Sequence, residues 1–175
     1  FDIADVLDSI CKKLIDRHPH IYGDVKVANE EEVKQNWEKL KLKEGKKSVL
    51  EGVPKSLPAL VKAIRIQDKA KGVGFDWEKP EQVWEKVQEE LEEFVEAAQG
   101  RNQLEMEAEF GDLLFSLINY SRFVDIDPEL ALERTNKKFI HRFTYLETHA
   151  AAEGKSLDQM SFEEMDVHWD KAKKL

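Results

Sequence analysis

Apolar residues recur every three or four positions along most of this chain, the spacing that places them on one face of an α-helix. Near the start, Val6, Ile10 and Leu14 follow this spacing, and Pro19 is expected to end that helix or to follow its end. The same pattern, interrupted by capping and turn residues, predicts further helices at about residues 29–43, 56–71, 80–99, 102–123 and 127–153, and a last one from Ser161 onward. No segment convincingly predicts a strand, so the predicted fold class is all-α, a helical bundle.

Two of these helices carry acidic residues at matching positions on either side of a short turn at residues 100–102. The first has Glu90 and Glu93, and the second has Glu109 and Asp112. In an antiparallel hairpin Glu93 faces Glu109 and Glu90 faces Asp112, roughly 12–16 Å along the helices from the turn. Within each helix, the spacing of three residues puts both acids on one face. Because four converging carboxylates repel one another, the pattern predicts a hard divalent cation with oxygen ligands between them.

The residues around these acids argue both for and against a metal site. The second acidic helix is almost uniformly apolar, which predicts a buried helix, and buried carboxylates must be paired or bind metal. On the first helix, Glu90 borders the apolar stripe and Glu93 lies further round, so another packing layer, such as a second subunit, is needed to enclose both. Against this, 36 of the 175 residues are acidic, and Glu-rich helix faces commonly just meet solvent. The matched register of the two pairs favours the metal site.

Composition limits the classes of partner and location. A net charge of −9 and a pI near 5.2 argue against a nucleic-acid-binding or membrane-surface protein. They do not exclude a phosphorylated small molecule, because bound metal ions reverse the local charge. The single cysteine, Cys11, excludes an internal disulfide and fits a reducing compartment, so we expect a cytoplasmic protein. No apolar run is long enough for a membrane span and no signal peptide is visible, so we expect no membrane partner.

An internal repeat suggests how the chain is divided. Residues 10–18 match residues 135–143 through a shared KKxIxR pattern, and residues 36–39 match residues 168–171 through a shared Trp, acid and Lys. The second copy is preceded by the acidic hairpin, whereas the first copy is not. We therefore interpret residues 1–43 as the back half of an incomplete N-terminal repeat, 44–55 as a Gly- and Pro-containing linker, and 56–175 as a complete C-terminal unit.

Basic residues in the C-terminal unit form a second candidate group. Lys138 and Arg142 lie four residues apart on one helix, and Trp169 and Lys173 lie four residues apart on the last helix. Cations at this spacing can grip a phosphate chain, and Arg gives bidentate contacts. A single Lys or Arg on such a helix is commonly only solvated, and a lone Trp commonly packs in a core or interface. The recurrence of the group in both copies, and its company with an acidic cluster, favours a role in binding phosphate.

These motifs together resemble a known family. The acids at positions 89, 90, 93, 109 and 112 resemble the EExxE…ExxD signature of the MazG nucleotide pyrophosphohydrolases, within the all-α NTP pyrophosphatases. Residues 17–25 (RHPHIYGDV), 52–60 (GVPKSLPAL), 73–77 (VGFDW) and 111–115 (GDLLF) also resemble MazG proteins with two tandem domains. The acidic motif alone is weakly specific, but the order and spacing of all these stretches, over essentially the full chain, are strongly specific.

The resemblance implies a Mg²⁺-dependent enzyme, with Mn²⁺ as a substitute, that hydrolyses nucleoside triphosphates (NTP or dNTP) to nucleoside monophosphate and pyrophosphate. It implies that the metal ligands are Glu90, Glu93, Glu109 and Asp112, with Glu89 as an accessory acid. From the matched carboxylates we separately hypothesise a catalytic role for Glu90 or Glu93, namely positioning the attacking water together with the metal. The resemblance implies that the residues binding the substrate phosphates are Lys138, Arg142, Trp169 and Lys173. It also implies a homodimer formed through the acidic helices, and it makes residues 56–175 the catalytic domain, so that residues 1–43 should have no active site of their own.

Alternatives remain open from the sequence. A pyrophosphatase of narrower specificity, for phosphoribosyl-ATP or for dUTP and dCTP, has the same acidic pattern, and a non-catalytic helical interaction module could present a solvated acidic face. A ferritin-like di-iron bundle usually needs Glu-x-x-His motifs, and none of the five histidines follows a Glu at that spacing. Trp77 or Phe115 could stack on a nucleobase, but the sequence favours core packing for each. One departure from related sequences is Ala108, where a further acid is common.

Overall fold

The computed structural model describes residues 1–29, 32–33, 36–37, 40 and 48–174. Its helices are α1 (Ile3–Arg17), α2 (Pro19–Tyr22), α3 (Ala59–Lys71), α4 (Pro80–Gly100), α5 (Gln103–Phe123), α6 (Pro128–Ala152), a 3₁₀ helix (Leu157–Gln159) and α7 (Phe162–Ala172). The described residues contain no strand, and the predicted all-α fold is confirmed. Within the same residues, no helix combines the length and apolar character needed to cross a membrane.

The chain forms two compact units, Phe1–Val124 and Asp125–Leu175. The helix predicted at 29–43 and the start of the linker predicted at 44–55 lie largely outside the described residues. The division into an incomplete repeat, a linker and a complete domain therefore stays a prediction.

In the first unit, the predicted acidic hairpin is present as α4 and α5. Gly100 ends α4, Arg101 adopts a left-handed conformation with φ 56°, and the side chain of Asn102 caps α5 by accepting from the backbone N–H of Leu104 at 3.2 Å. This two-residue connection reverses the chain where the sequence placed the turn. The predicted antiparallel arrangement is therefore correct.

Two aromatic pairs fix the register of the hairpin. The rings of Trp84 and Tyr120 lie 5.0 Å apart, and those of Phe94 and Phe110 lie 5.6 Å apart, measured between centroids. Tilted aromatic pairs at these distances contribute about 0.5–1.5 kcal/mol each beyond the burial of their area. The two pairs lie along the helices on either side of Glu90, so they help to hold it level with the acids of α5.

The buried apolar residues of the first unit come from α3, α4 and α5, and they are Ala63, Val83, Val87 and Ile118. The expectation that α5 is a buried helix is wrong for the single chain. Phe110 is 49% exposed and Leu114 is 45% exposed. Only one face of α5 packs against α3 and α4, so the described residues of this unit leave the apolar residues around the rest of the helix uncovered.

The second unit consists of α6, the 3₁₀ helix and α7. Its buried apolar residues are Leu146, Ala150, Met160 and Ala172. The start of α7 has the predicted capping box: Ser161 Oγ accepts from the N–H of Glu164 at 3.2 Å, and Glu164 Oε2 accepts from the N–H of Ser161 at 2.9 Å. Lys155 Nζ also lies 2.6 Å from Glu164 Oε1, and this hydrogen bond, with the backbone N–H of Ser161, lowers the pKa of Glu164.

Candidate active site

Three of the four predicted metal ligands come together in the hairpin. Glu90 of α4 and Glu109 and Asp112 of α5 each offer a carboxylate oxygen within 4.8 Å of the other two. Glu90 is buried, Glu109 is partly buried and Asp112 is exposed, so this group, the acidic cluster, reaches from the packed face of the hairpin to solvent. It is the one group of this kind among the residues that the structure describes.

Glu93, the fourth predicted ligand, lies beside the acidic cluster rather than in it. Its side chain is exposed and is not part of the set of oxygens within 4.8 Å. Partial loss of solvation and the negative charges of Glu90 and Glu109 raise the pKa of Glu93. The negative charges of the cluster therefore act on the carboxylate of Glu93. Its role as a metal ligand stays a prediction.

Lys86, one turn before the acids on α4, partly neutralises the site. Its ammonium lies 2.8 Å from Oε1 of Glu89 and 2.8 Å from Oε1 of Glu90. Hydrogen bonds to Glu89 and then to Glu90 raise the pKa of Lys86, so it stays charged across the physiological range. Glu90 is 6% exposed, and this ion pair offsets part of the cost of burying its charge. The predicted accessory acid, Glu89, is thus held by Lys86, with its side chain 56% exposed.

The donor set suits a hard divalent cation. Three carboxylates face one another, and among the described residues one ammonium, that of Lys86, forms an ion pair with this group, at Glu90. The cluster therefore carries an excess of negative charge that Lys86 does not offset. Oxygen ligands alone, without sulfur or imidazole, match the preferences of Mg²⁺, Mn²⁺ or Ca²⁺ rather than of zinc. The acidic cluster could accordingly hold such a metal ion.

In the second unit, the structure brings together two of the four predicted phosphate-binding residues. The guanidinium of Arg142 lies 5.9 Å from the ring centroid of Trp169, and Phe139 packs against the same indole with centroids 5.1 Å apart. Lys138 is exposed on α6. Lys173 forms an ion pair with Asp170 at 2.7 Å, which lowers the pKa of Asp170. The guanidinium of Arg142 thus lies over the indole of Trp169, whereas the ammonium of Lys173 is paired with the carboxylate of Asp170.

Comparison with known proteins places this hairpin in a family. Residues 78–146 match the MazG nucleotide pyrophosphohydrolase domain. The chain is 44% identical over 176 residues to the Nucleoside triphosphate pyrophosphohydrolase/pyrophosphatase MazG of Thermotoga maritima, covering 99% of this chain and 66% of that protein. It is 38% identical over 180 residues to the Nucleoside triphosphate pyrophosphohydrolase of Escherichia coli K12, covering 99% of this chain and 68% of that protein. The chain belongs to the MazG nucleotide pyrophosphohydrolase family.

The MazG match contains the whole acidic cluster, together with Lys86, Lys138 and Arg142. Trp169 and Lys173 lie beyond it, but within the span aligned with the two longer relatives. The chain spans about two thirds of the length of these two relatives. It is also 48% identical over 177 residues to the Uncharacterized protein YabN of Bacillus subtilis, covering 36% of that protein. The acidic hairpin, residues 80–123, makes up most of the matched MazG domain.

Sequence reasoning missed two polar features. Lys86 could have been found, because a Lys three and four residues before paired Glu residues can form ion pairs along a helix. The ion pair between Asp76 and Arg122, with 2.6 Å between Oδ1 and Nη2, joins residues far apart in the chain, and no local pattern indicates it.

The predicted core packing of Trp77 and Phe115 is also wrong, because they are 44% and 41% exposed and line a cavity.

Proposed function

We propose that this protein hydrolyses nucleoside triphosphates, NTP or dNTP, to nucleoside monophosphate and pyrophosphate, with Mg²⁺ as its metal and Mn²⁺ as a substitute. The observation that carries the proposal is the acidic cluster of Glu90, Glu109 and Asp112 on facing helices of a MazG domain. Two relatives that align with 99% of the chain bear the name nucleoside triphosphate pyrophosphohydrolase, which supports the same reaction class.

In this proposal the acidic cluster and Glu93 hold the metal. Three oxygens within 4.8 Å, one of them buried, are a donor set that fits a small hard cation. When bound, Mg²⁺ supplies charge neutralisation for the phosphates and polarises the phosphorus–oxygen bond. Glu89 remains outside the cluster as a partner of Lys86.

The chain's own residues supply the remaining steps. Glu93 is exposed and has a raised pKa, so its carboxylate can accept a proton from an attacking water more readily than an ordinary surface Glu. Glu90 is the buried member of the acidic cluster, and we propose that its carboxylate positions the same water. Hydrolysis breaks one phosphoanhydride bond, the water oxygen joins phosphorus, and the bridging oxygen leaves with the pyrophosphate or the monophosphate.

We propose that the phosphates are also contacted by the basic group of the second unit, namely Lys138, Arg142, Trp169 and Lys173. The guanidinium of Arg142 lies over the ring of Trp169, and we propose that this contact holds it in place for bidentate binding of a phosphate. Lys173 would exchange its ion pair with Asp170 for the substrate. Both side chains of that ion pair are exposed, so breaking it costs little free energy.

Product analysis with each NTP and dNTP, in the presence of Mg²⁺, tests the proposed reaction. We expect nucleoside monophosphate and pyrophosphate in equal amounts, with no diphosphate or free phosphate. Reaction in ¹⁸O-labelled water then shows which phosphorus is attacked, because the label enters the product that carries that phosphorus. Diphosphate with free phosphate would contradict the proposal. Turnover confined to dUTP and dCTP, or to phosphoribosyl-ATP, would favour the narrower alternatives, and a lack of turnover of any of these would favour an interaction module.

We further propose that the protein is a homodimer formed through the acidic hairpin, and that it acts in the cytoplasm. The apolar residues that the single chain leaves 41–49% exposed on α4 and α5 include Leu91, Val95, Phe110, Leu114 and Leu117. Several large apolar side chains left exposed on two neighbouring helices are typical of an interface. Light scattering coupled to size exclusion should give twice the mass of the chain, and an active, stable monomer would refute the dimer.

A further inference from the structure

The last helix, α7, buries few side chains in the second unit. Its buried residues are His168 and Ala172, and Met165 and Trp169 are partly buried. These four positions are three or four residues apart, so they form one face of the helix. Because the side chain of alanine is a single methyl group, the imidazole of His168 is the larger of the two side chains that α7 buries.

His168 contacts the C-terminal end of α6 through polar groups. Its Nε2 lies 3.4 Å from Oε1 of Glu153, the residue that follows α6, and its ring lies 6.1 Å from the ring of His149, measured between centroids. His149 is itself held in place, because its Nδ1 donates to the backbone carbonyl of Tyr145 at 2.8 Å and its ring stacks on that tyrosine. The end of α6 thus presents one imidazole and one carboxylate to His168.

One nitrogen of this buried imidazole has no partner. A carboxylate only accepts, so the contact with Glu153 favours the tautomer of His168 that carries its proton on Nε2. In that tautomer Nδ1 is an acceptor, and within the described residues this buried atom has no hydrogen bond. A buried acceptor without a donor costs free energy that an apolar side chain of similar size would avoid. Stability alone therefore does not account for a histidine at this position.

The next residue, Trp169, makes the contacts of the basic group. Its indole packs against Phe139 with centroids 5.1 Å apart, and the guanidinium of Arg142 lies 5.9 Å from its centroid. Along α6, Arg142 precedes His149 by about 10 Å at 1.5 Å per residue. Two adjacent residues, His168 and Trp169, therefore hold α7 on α6 at two separate points.

Two such points fix the rotation of α7 about its own axis. Adjacent residues of an α-helix point about 100° apart, so a rotation that withdraws His168 from Glu153 also turns Trp169 away from Arg142. Lys173, four residues after Trp169, moves with it. Contacts between apolar groups are non-directional and tolerate such a rotation, whereas a contact between a ring N–H and a carboxylate depends on angle.

We infer that His168, with Glu153 as its partner, is a positioning residue that sets the rotation of α7 and so holds Trp169 beside Arg142 for the binding of phosphate. The last step rests on the proposed function, in which Trp169 and Arg142 contact the triphosphate. His168 itself is buried and touches no substrate. Its loss should therefore weaken substrate binding and leave the chemical step unchanged.

Paired substitutions of His168 separate positioning from packing. His168→Gln can place an amide N–H near the position of Nε2, whereas the shorter side chain of His168→Asn cannot reach Glu153. We expect KM for the triphosphate to rise about tenfold in His168→Asn, the loss for one charge-assisted phosphate contact, with kcat unchanged. KM should return close to normal in His168→Gln. An equal rise in both variants would contradict the inference, because packing volume rather than contact with Glu153 would then decide binding.

Glu153→Ala tests the same contact without altering a buried residue. The side chain of Glu153 is 50% exposed, so the variant should fold, which circular dichroism checks, and its KM should rise as in His168→Asn. Lys155→Met is the matched control, because it breaks another ion pair of α7, that of Lys155 with Glu164 at 2.6 Å. We expect its KM to stay within about twofold of the unaltered protein. A rise as large as in Glu153→Ala would attribute the effect to general loosening of α7 and overturn the inference.

The indole N–H signal of Trp169 reports its position without substrate, metal or turnover. Nuclear magnetic resonance spectra of the ¹⁵N-labelled full chain in EDTA, with the signal assigned through Trp169→Phe, should show it shifted in Glu153→Ala and unshifted in Lys155→Met. An unshifted signal in Glu153→Ala would overturn the inference even if triphosphates are hydrolysed as proposed. A shifted signal with an unchanged KM would support the positioning of Trp169 and remove the basic group from the proposed function.

Discussion

Glu90→Gln should lower kcat for nucleoside triphosphate hydrolysis about a thousandfold, corresponding to roughly 4 kcal/mol of lost transition-state stabilisation. Glu90 is the buried member of the acidic cluster, and glutamine keeps its shape while removing its charge. The amide can donate to Glu109 or Asp112, so the hairpin should stay folded. Steady-state kinetics with saturating Mg²⁺, together with circular dichroism, measure both effects.

Glu92→Gln is the matched control for this substitution. Glu92 is exposed on the same helix, and two residues along an α-helix turn it roughly 200° away from Glu90. We expect its kcat to stay within about twofold of the unaltered protein, as is usual for a surface substitution with a free energy effect under about 0.5 kcal/mol. A folded Glu90→Gln protein with near-normal turnover would show that the cluster is not the active site.

The same assay examines the basic group. Arg142→Met keeps an unbranched aliphatic side chain at this position but removes the bidentate donors beside Trp169. We expect a rise in KM for the triphosphate of about tenfold or more, since a lost charge-assisted hydrogen bond costs about 1.5–3 kcal/mol. An unchanged KM and kcat would remove Arg142 from the substrate site.

Adding Mg²⁺ to metal-free protein should raise its free energy of unfolding by about 2.7 kcal/mol when the free metal is a hundred times its dissociation constant. The folded chain alone brings Glu90, Glu109 and Asp112 within 4.8 Å, so the metal binds the native state in preference to the unfolded one. Urea unfolding with EDTA, and then with increasing Mg²⁺, measures the increment. Glu90→Gln should abolish it and Glu92→Gln should not.

The stabilisation should also depend on pH in a defined direction. The pKa of Glu93 is raised above its ordinary 4.5 by desolvation and by the charges of Glu90 and Glu109, so the folded state holds this proton more tightly than the unfolded chain. Glu93 therefore favours folding less as pH rises from 4.5 through its folded pKa. Bound Mg²⁺ offsets that repulsion, so the increment from metal should grow over this interval. An increment that is flat or falls with pH would argue against Glu93 as a neighbour of the metal.

The hairpin and its register could be predicted from sequence because both depend on local signals. Helical periodicity, the Gly100–Asn102 turn and acid pairs at matched distances from it are enough to place Glu90 opposite Asp112. The structure brings the carboxylates of Glu90, Glu109 and Asp112 together, and the carboxylate of Glu93 lies outside the set of oxygens within 4.8 Å. Sequence spacing indicates which helix face a residue occupies, but the choice of rotamer decides whether its carboxylate reaches the centre.

The cavity lined by Gln67, Trp77 and Phe115 could not be predicted, because its polar groups are joined by long-range contacts. Gln67 and Phe115 are 48 residues apart in the chain, and their hydrogen bond depends on how α3 packs on α5. The sequence around Gln67 is an ordinary amphipathic helix, in which a glutamine is expected on the surface. For the same reason the buried character of α5 was overestimated: apolar composition shows that a helix needs cover, but it does not identify the element that provides it.

Lys86 places one positive charge beside the carboxylates of the acidic cluster. Because its ammonium lies 2.8 Å from Glu90, a newly made chain can assemble the hairpin before it encounters any divalent ion. If Mg²⁺ is the metal, as proposed, scarcity of magnesium would stop activity without unfolding the protein and exposing it to proteases, and replenishment would restore activity from protein already present.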